Sequence, residues 1–278
     1  MALFIHHNLA SQKAHRTVSG TNRGLLGSFE KVSSGLRINK AADDAAGLGV
    51  AENLNVHFRS TKVAMRNTND GIGIVQTAEG ATEEVANVIK RMRELAVQSS
   101  SEALDATERV YLDDEFLELS REVNRIADTT EWNGVALTNG SSVELNIQVG
   151  VNNTGNDRIA IELGDLNNSE LGISDGGPSP TGLSSVASAR VAIRRFDRAL
   201  DTVNGYRSVY GATQNRLVSA VSNLEIYNEN LASAEAQIRD VDFASETAVL
   251  ARHQIIQQAG LSVLSQANSN AEGLLSLL

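Results

Sequence analysis

Residues Leu217–Val241 read LVSAVSNLEIYNENLASAEAQIRDV. Within them Leu217, Ala220, Leu224, Tyr227, Leu231, Ala234, Ile238 and Val241 recur with alternating gaps of three and four. That is an a/d heptad seam, the pattern of a helix that packs lengthwise against other helices. Upstream, Val186, Ala189, Ile193, Phe196, Leu200 and Val203 continue a helical stripe. One helix from Ser184 to Asp240 would run roughly 80 Å at 1.5 Å per residue. A compact ball of 278 residues has no room for such a rod. The sequence therefore predicts a mainly α chain, an elongated antiparallel helical bundle.

The N-terminal half has matching helices. Ile72, Val75, Ala78, Val85, Val88, Met92, Leu95 and Ala96 form one face from Asn69 to Ser100. Glu83, Glu84, Lys90, Arg91, Arg93 and Glu94 mostly occupy the others. A second helix, Thr107 to Asp128, carries Val110, Leu112, Phe116, Leu117, Leu119, Val123 and Ile126, with a loop and cap over Ser99–Asp105. Glycines then concentrate between Gly134 and Gly182. Val143, Leu145, Ile147 and Val149 alternate with polar residues, as do Ile159, Ile161 and Leu163 after a turn-rich run. That predicts a small β-hairpin with a long loop. Asp175–Gly182 links back to helix.

Composition narrows the function. The only prolines are Pro178 and Pro180, so nothing interrupts long helices elsewhere. Aromatic residues make up 4%, low for a compact core. Cysteine is absent, which excludes disulfides, a thiol nucleophile and Cys-ligated metal. A net charge of −10 argues against binding nucleic acid through its phosphates. No apolar run reaches the ~18 residues of a membrane span. Met1–Leu9 lacks the pattern of a Sec signal peptide.

The two ends stand apart. From His253 to Leu278 the only ionised side chain is that of Glu272, among Ile255, Ile256, Leu261, Val263, Leu264, Leu274, Leu275, Leu277 and Leu278. Phe4, Ile5, Leu9 and Val18 mark the start. Neither end satisfies its apolar face alone; each needs a helix from the other end or from another copy.

A search for catalytic chemistry finds none. His6, His7, His15, His57 and His253 include no pair four apart, and no H-E-x-x-H exists. Asp43 and Asp44 read as solvated helix-start carboxylates. Gly71 and Gly73 make half of a dinucleotide fingerprint, but Gln76 stands at the third glycine position and no strand precedes them. No cofactor or metal is expected. A self-assembling structural subunit, a coiled-coil adaptor and a helical enzyme with a hidden site remain, in that order. Charge would be expected to blunt the ends of a solitary adaptor.

Ser33-Ser-Gly-Leu-Arg-Ile-Asn-Lys-Ala-Ala-Asp-Asp-Ala-Ala-Gly47 resembles the N-terminal signature of bacterial flagellins. So, in order, do Arg66–Gly80, Met92–Gln98, Trp132-Asn-Gly134, Ile238–Glu246 and Gln257–Asn268. The likeness covers roughly 1–137 and 186–278. Two departures are Ile5-His-His-Asn8 at the start and a tail, Asn268–Gly273, without proline.

The resemblance implies a non-enzymatic subunit that polymerises into the flagellar filament for motility, outside the cell and exported by the flagellar type III route. The nearest alternative is a hook–filament junction protein. It implies paired N- and C-terminal helices in an inner-core domain of residues 1–45 and 237–278. Residues 46–183, with the hairpin, and 184–236 would form the filament-core domain. Between Trp132 and Ser184 there is one hairpin, so this is a short form without outer domains. Implied partners are other copies of the chain, an export chaperone on the tail, the filament cap and hook-junction proteins. The self-assembly core would be Leu261, Val263, Leu264, Leu274, Leu275, Leu277 and Leu278. In members sensed by a vertebrate Toll-like receptor an Arg, a Leu and a Glu form the contact; here they align with Arg91, Leu95 and Glu115. Arg91 and Leu95, four apart, would share a helix face.

Overall fold

The computed structural model describes residues 7–174 and 182–275. The link expected over Asp175–Gly182 therefore lies, apart from Gly182, outside the described residues, as do Phe4, Ile5, Leu277 and Leu278. Helices α1 (Leu9–Ser34), α2 (Ala45–Ser99) and α3 (Ala106–Thr129) come first. Strands β1 (Glu131–Trp132), β2 (Val135–Ala136), β3 (Glu144–Gln148) and β4 (Arg158–Glu162) follow, then α4 (Val186–Arg239) and α5 (Phe243–Leu275). The chain is mainly helical, and α4 is the single long helix that the heptad seam predicts, 54 residues in length. Its 55-residue counterpart is α2. The chain divides into two compact units: residues Met1–Phe58 with Glu229–Leu278, and Arg59–Asn228.

The second unit, Arg59–Asn228, holds a complete apolar core. Val85, Ile89, Met92, Leu95 and Ala96 of α2 meet Phe116 and Val123 of α3 and Ala192, Phe196 and Val203 of α4. The rings of Phe116 and Phe196 lie 5.7 Å apart and tilted. Asp105 caps α3: it accepts from the Glu108 backbone N–H, and the Glu108 carboxylate accepts from that of Asp105. Arg109, 7% exposed, donates from its guanidinium to the Ser99 carbonyl at the end of α2 and to the Leu104 carbonyl in the loop before α3. The Ser99 carbonyl has no partner within the helix, and a cation suits that end of its dipole.

The expected hairpin forms between β3 and β4, antiparallel, with Glu144 opposite Glu162 and Gln148 opposite Arg158. Its inward residues Val149, Ile159, Ile161 and Leu163 pack with Ile74, Val75 and Ala78 of α2 and Tyr210 and Leu217 of α4. The Gly71–Gly73 pair has its use here. A Cβ on Gly71 would stand 3.1 Å from Ile147, and one on Gly73 2.9 Å from Trp132. Missing side chains let the helix backbone approach the β segment. A second, two-stranded hairpin, β1–β2, turns on Asn133 and Gly134, both with positive φ (50° and 78°). Asn-Gly is the pair that such a tight turn favours.

After β4 the chain settles onto the helices. The Asn168 side chain donates to the Ser120 carbonyl and hydroxyl at 2.8 and 2.7 Å, and Leu166, Leu171 and Ile173 join the core. The Tyr210 hydroxyl accepts from the Gly164 backbone N–H at 2.9 Å in a fully buried position. Burial pushes the Tyr210 phenol above its ordinary pKa, and the Gly164 hydrogen bond works against that shift. Tyr210→Phe leaves the Gly164 N–H without its acceptor and should destabilise this unit by about 1–3 kcal/mol. Urea titration followed by circular dichroism checks this, and an unchanged midpoint would show that the bond contributes nothing.

Candidate functional site

The first unit, Met1–Phe58 with Glu229–Leu278, is built differently. Its two strands of chain are hooked together where α1 ends. Gly35, at φ 72°, closes α1 by donating to the Lys31 carbonyl. Leu36 then bridges to Asp240: Arg37 N donates to the Arg239 carbonyl at 2.7 Å, and Val241 N to that of Gly35 at 3.0 Å. The Arg37 guanidinium donates to the Ile238 carbonyl at 2.6 Å. Ile38 is buried beneath this crossing, and Lys40 pairs with Glu30 at 2.7 Å. Asp44 accepts from Gly47 N at the start of α2. Asp43 accepts from the Lys40 and Asn39 N–H groups, which hold its carboxyl below the usual range. Asp44 is thus a helix-start carboxylate as expected, whereas Asp43 closes the turn that precedes α2.

From that hook α1 and α5 run antiparallel. Asn22 accepts from Gln257 at 3.3 Å, and near the far end Asn8 donates to the Ala267 carbonyl at 3.0 Å. The half-buried residues of α5 recur as Leu250, His253, Gln257, Gly260, Leu264 and Ala267, gaps of three and four. Those of α1 include Ser11, Ala14, Val18, Thr21 and Leu25, followed by the buried Ser28. The seam mixes Val18, Leu25, Leu250 and Leu264 with small and polar residues. A Cβ at Gly260 would stand 2.7 Å from Val18, and one at Gly24 2.7 Å from the His253 ring. Such a seam lets the helices approach closely yet covers little apolar area.

The apolar side chains lie elsewhere. Leu9, Leu26 and Phe29 of α1 and Phe243, Ile255, Ile256, Leu261 and Val263 of α5 are all exposed, Phe29 at 62% and Ile255 at 69%. The described residues that this unit buries are Ser28, Ile38, Ala51 and Leu231. Of the tail residues singled out from sequence, Leu261 and Val263 face outward, and Leu264 sits half-buried in the seam with α1. Leu274 and Leu275 lie in α5, with their side chains outside the description.

The second set of candidates divides. Arg91 donates to the Glu115 carboxylate at 2.9 and 2.7 Å and to Glu94 at 3.2 Å, so α2 and α3 are joined by an exposed ion pair. Hydrogen bonds to Glu115 and Glu94 raise the Arg91 pKa. Leu95 does not share that surface. It is 1% exposed, packed in the core of the second unit. One turn along α2 the helix twist has carried it from the rim to the inward face, which corrects the shared face expected from the spacing. Among the described residues no group of three potential metal ligands occurs, and no helix is long and apolar enough to cross a membrane.

A seam that pairs the ends while turning apolar side chains outward defines a self-assembling structural subunit. The comparisons agree. The bacterial flagellin N-terminal helical region matches residues 5–143, and the flagellin C-terminal helical region matches 193–278. A flagellin of Halalkalibacterium halodurans is 41% identical over 99% of this chain and 100% of its own length. A flagellin of Bacillus subtilis is 34% identical over 99% of this chain and 100% of its own length. The crystal structure of Bacillus cereus flagellin superposes with a TM-score of 0.50 at 28% identity, covering 57% of this chain and 88% of that one. The chain belongs to the bacterial flagellin family. It is a structural subunit of the extracellular flagellar filament and serves motility. The fold alone is shared with a Vibrio parahaemolyticus protein described as flagellar hook-associated, at 13% identity and a TM-score of 0.58, over 71% of this chain and 100% of that one.

A carboxylate at an exposed apolar position would need a partner inside an assembly but costs the isolated chain little. Leu261→Asp with Val263→Asp should abolish polymer while thermal unfolding of Arg59–Asn228 stays within about 0.5 kcal/mol of wild type. Sedimentation and electron microscopy of seeded mixtures give the readout. Filaments of normal yield would contradict a role for these side chains in assembly.

Proposed function

We propose that assembly runs through the outward faces of α1 and α5. These helices then form the inner-core layer, and residues 46–236 the layer around it. The observation that carries this reading is the near-empty core of the first unit beside its exposed Leu26, Phe29, Ile255, Ile256, Leu261 and Val263. Burial at about 25 cal/mol per Å² supplies the driving force only when neighbouring copies cover these side chains. Leu264 contributes by holding α5 against α1. The filament cap and the hook-junction proteins meet the same surface at the two ends of the polymer. The Leu261→Asp, Val263→Asp chain should accordingly fail to attach to hook-bearing cells, and normal attachment would count against this placement.

Before export the same α5 surface is covered by a cytosolic chaperone and travels the type III route. An exposed amphipathic helix in the cytosol otherwise joins its neighbours prematurely. The chain purified with its chaperone should show the Ile255–Leu275 amides protected from hydrogen exchange relative to free monomer. Equal exchange in the two samples would rule this surface out.

Arg91 and Glu115 offer the surface for a vertebrate Toll-like receptor. Support comes from the resemblance and from their joined, exposed placement across α2 and α3. Leu95 acts from beneath, by packing the helix turn that presents Arg91. Arg91→Ala should therefore weaken activation of receptor-expressing cells by soluble monomer about tenfold or more. Leu95→Ala should in addition destabilise the second unit, by about 2–5 kcal/mol. Full activity of the Arg91→Ala monomer would remove the receptor reading, and an unchanged unfolding midpoint for Leu95→Ala would remove its supporting role.

A further inference from the structure

Arg190, Arg194 and Arg198 stand four residues apart on the exposed face of α4. They form a straight stripe that climbs about 6 Å per step. Arg190 reaches Glu102 at 3.6 Å. Arg194 and Arg198 make no ion pair among the described residues; the Arg198 Nε donates to the Arg194 carbonyl at 3.4 Å. Like charges at this spacing cost the isolated helix stability. A stripe of cations in a chain of net charge −10 points to carboxylates supplied from outside its own fold.

Elsewhere in the same unit α2 and α3 enclose an open groove of about 590 Å³. Gly80, exposed, and Ala81 line it, and a Cβ at Gly80 would meet nothing within 4 Å. Its rim carries Glu84, Glu122 and Glu131, from α2, α3 and β1. Arg125 holds Glu122 at 2.6 Å, while Glu84 and Glu131 make no ion pair among the described residues. A long side chain ending in a planar guanidinium suits an open groove lined by a glycine and by carboxylates.

We propose that the Arg194–Arg198 stripe of one copy docks into the Glu84–Glu131 groove of a second copy. The proposal rests on the self-assembly described above and names a contact within it. Donor and acceptor are different patches, so the contact is heterologous. It does not close as a two-fold pair, and it repeats from copy to copy into an open polymer. The outward apolar faces of α1 and α5 supply the burial, and this charged contact orients each arriving subunit.

The test is seeded elongation of the full chain at low ionic strength, followed by light scattering. Arg194→Glu with Arg198→Glu should slow elongation about tenfold or more, and so should Glu84→Arg with Glu131→Arg. The chain carrying all four reversals should recover most of the wild-type rate. Gly80→Leu, which puts a side chain into the open space of the groove, should block elongation without lowering the thermal unfolding midpoint. Wild-type chain that does not elongate would undo the assembly reading itself. Wild-type chain that elongates beside reversal pairs of equal rate, or a fourfold reversal that folds but stays as slow as either pair, would overturn this contact alone.

Discussion

The hydrogen bonds between Leu36–Arg37 and Arg239–Val241 fix where the two ends of the chain meet. Everything in the first unit follows from that register. With it set, Gly24 faces His253 and Gly260 faces Val18, and only glycine at those positions leaves room for the opposite side chain. A heptad seam slipped by one turn would bring full-sized side chains together and force the helices apart. The glycines thus act as a register device. The seam they create is thin, and it leaves the larger apolar groups on the outer faces of both helices. On the proposed assembly, stability of this unit and association are the same problem, since the exposed area that could stabilise it is covered only when other copies arrive.

The second unit has no such deficit. Three helices contribute to one buried cluster, and the β3–β4 hairpin seals a second against α2 and α4. Several polar groups that this packing would strand are matched locally, although the Asn168 Oδ1 and the Arg207 Nε are buried without a hydrogen-bond partner. Arg109 takes the Ser99 and Leu104 carbonyls, the Asn168 amide takes Ser120, and Tyr210 takes the Gly164 N–H. Both units expose apolar side chains, Tyr111, Val143 and Ile226 among those of the second. The second also carries ion pairs between its helices, such as Arg91 with Glu115 and Arg93 with Asp197.

The helices were legible because their apolar spacing is regular. Val186–Arg239 forms as one helix, as the stripe from Val186 to Ile238 requires, and the strands from Glu144 to Glu162 fall where the alternation lies. Side-chain direction was less legible. Tyr227 belongs to the predicted seam and is nonetheless exposed, because periodicity says which residues share a stripe and not whether a neighbour covers it. Leu95 lies beneath Arg91 for a related reason: four residues advance the helix by slightly more than a turn, enough to carry a side chain from rim to core. The β1–β2 hairpin escaped notice although Asn133-Gly134 carried its signal, since strands of two residues show no alternation. The glycines at 24, 71, 73 and 260 were unreadable without coordinates, because their meaning lies in the atom opposite.

Charge is distributed to match this division. The chain carries −10 in all, and identical chains of that charge repel one another. A carboxylate or ammonium group packed without a partner inside an assembled core would cost far more than any single apolar contact returns. From His253 to the end of the chain, Glu272 is the one ionised side chain. Most of the net negative charge lies instead on the second unit, where water screens it beyond about 10 Å at moderate salt. Oppositely charged patches there, such as the α4 arginines and the α2–α3 carboxylates, can turn part of that repulsion into orientation. A C-terminal helix poor in charge and a more heavily charged second unit are thus two halves of a single solution. The first spares association the cost of burying charge, and the second holds identical chains apart until they are in register.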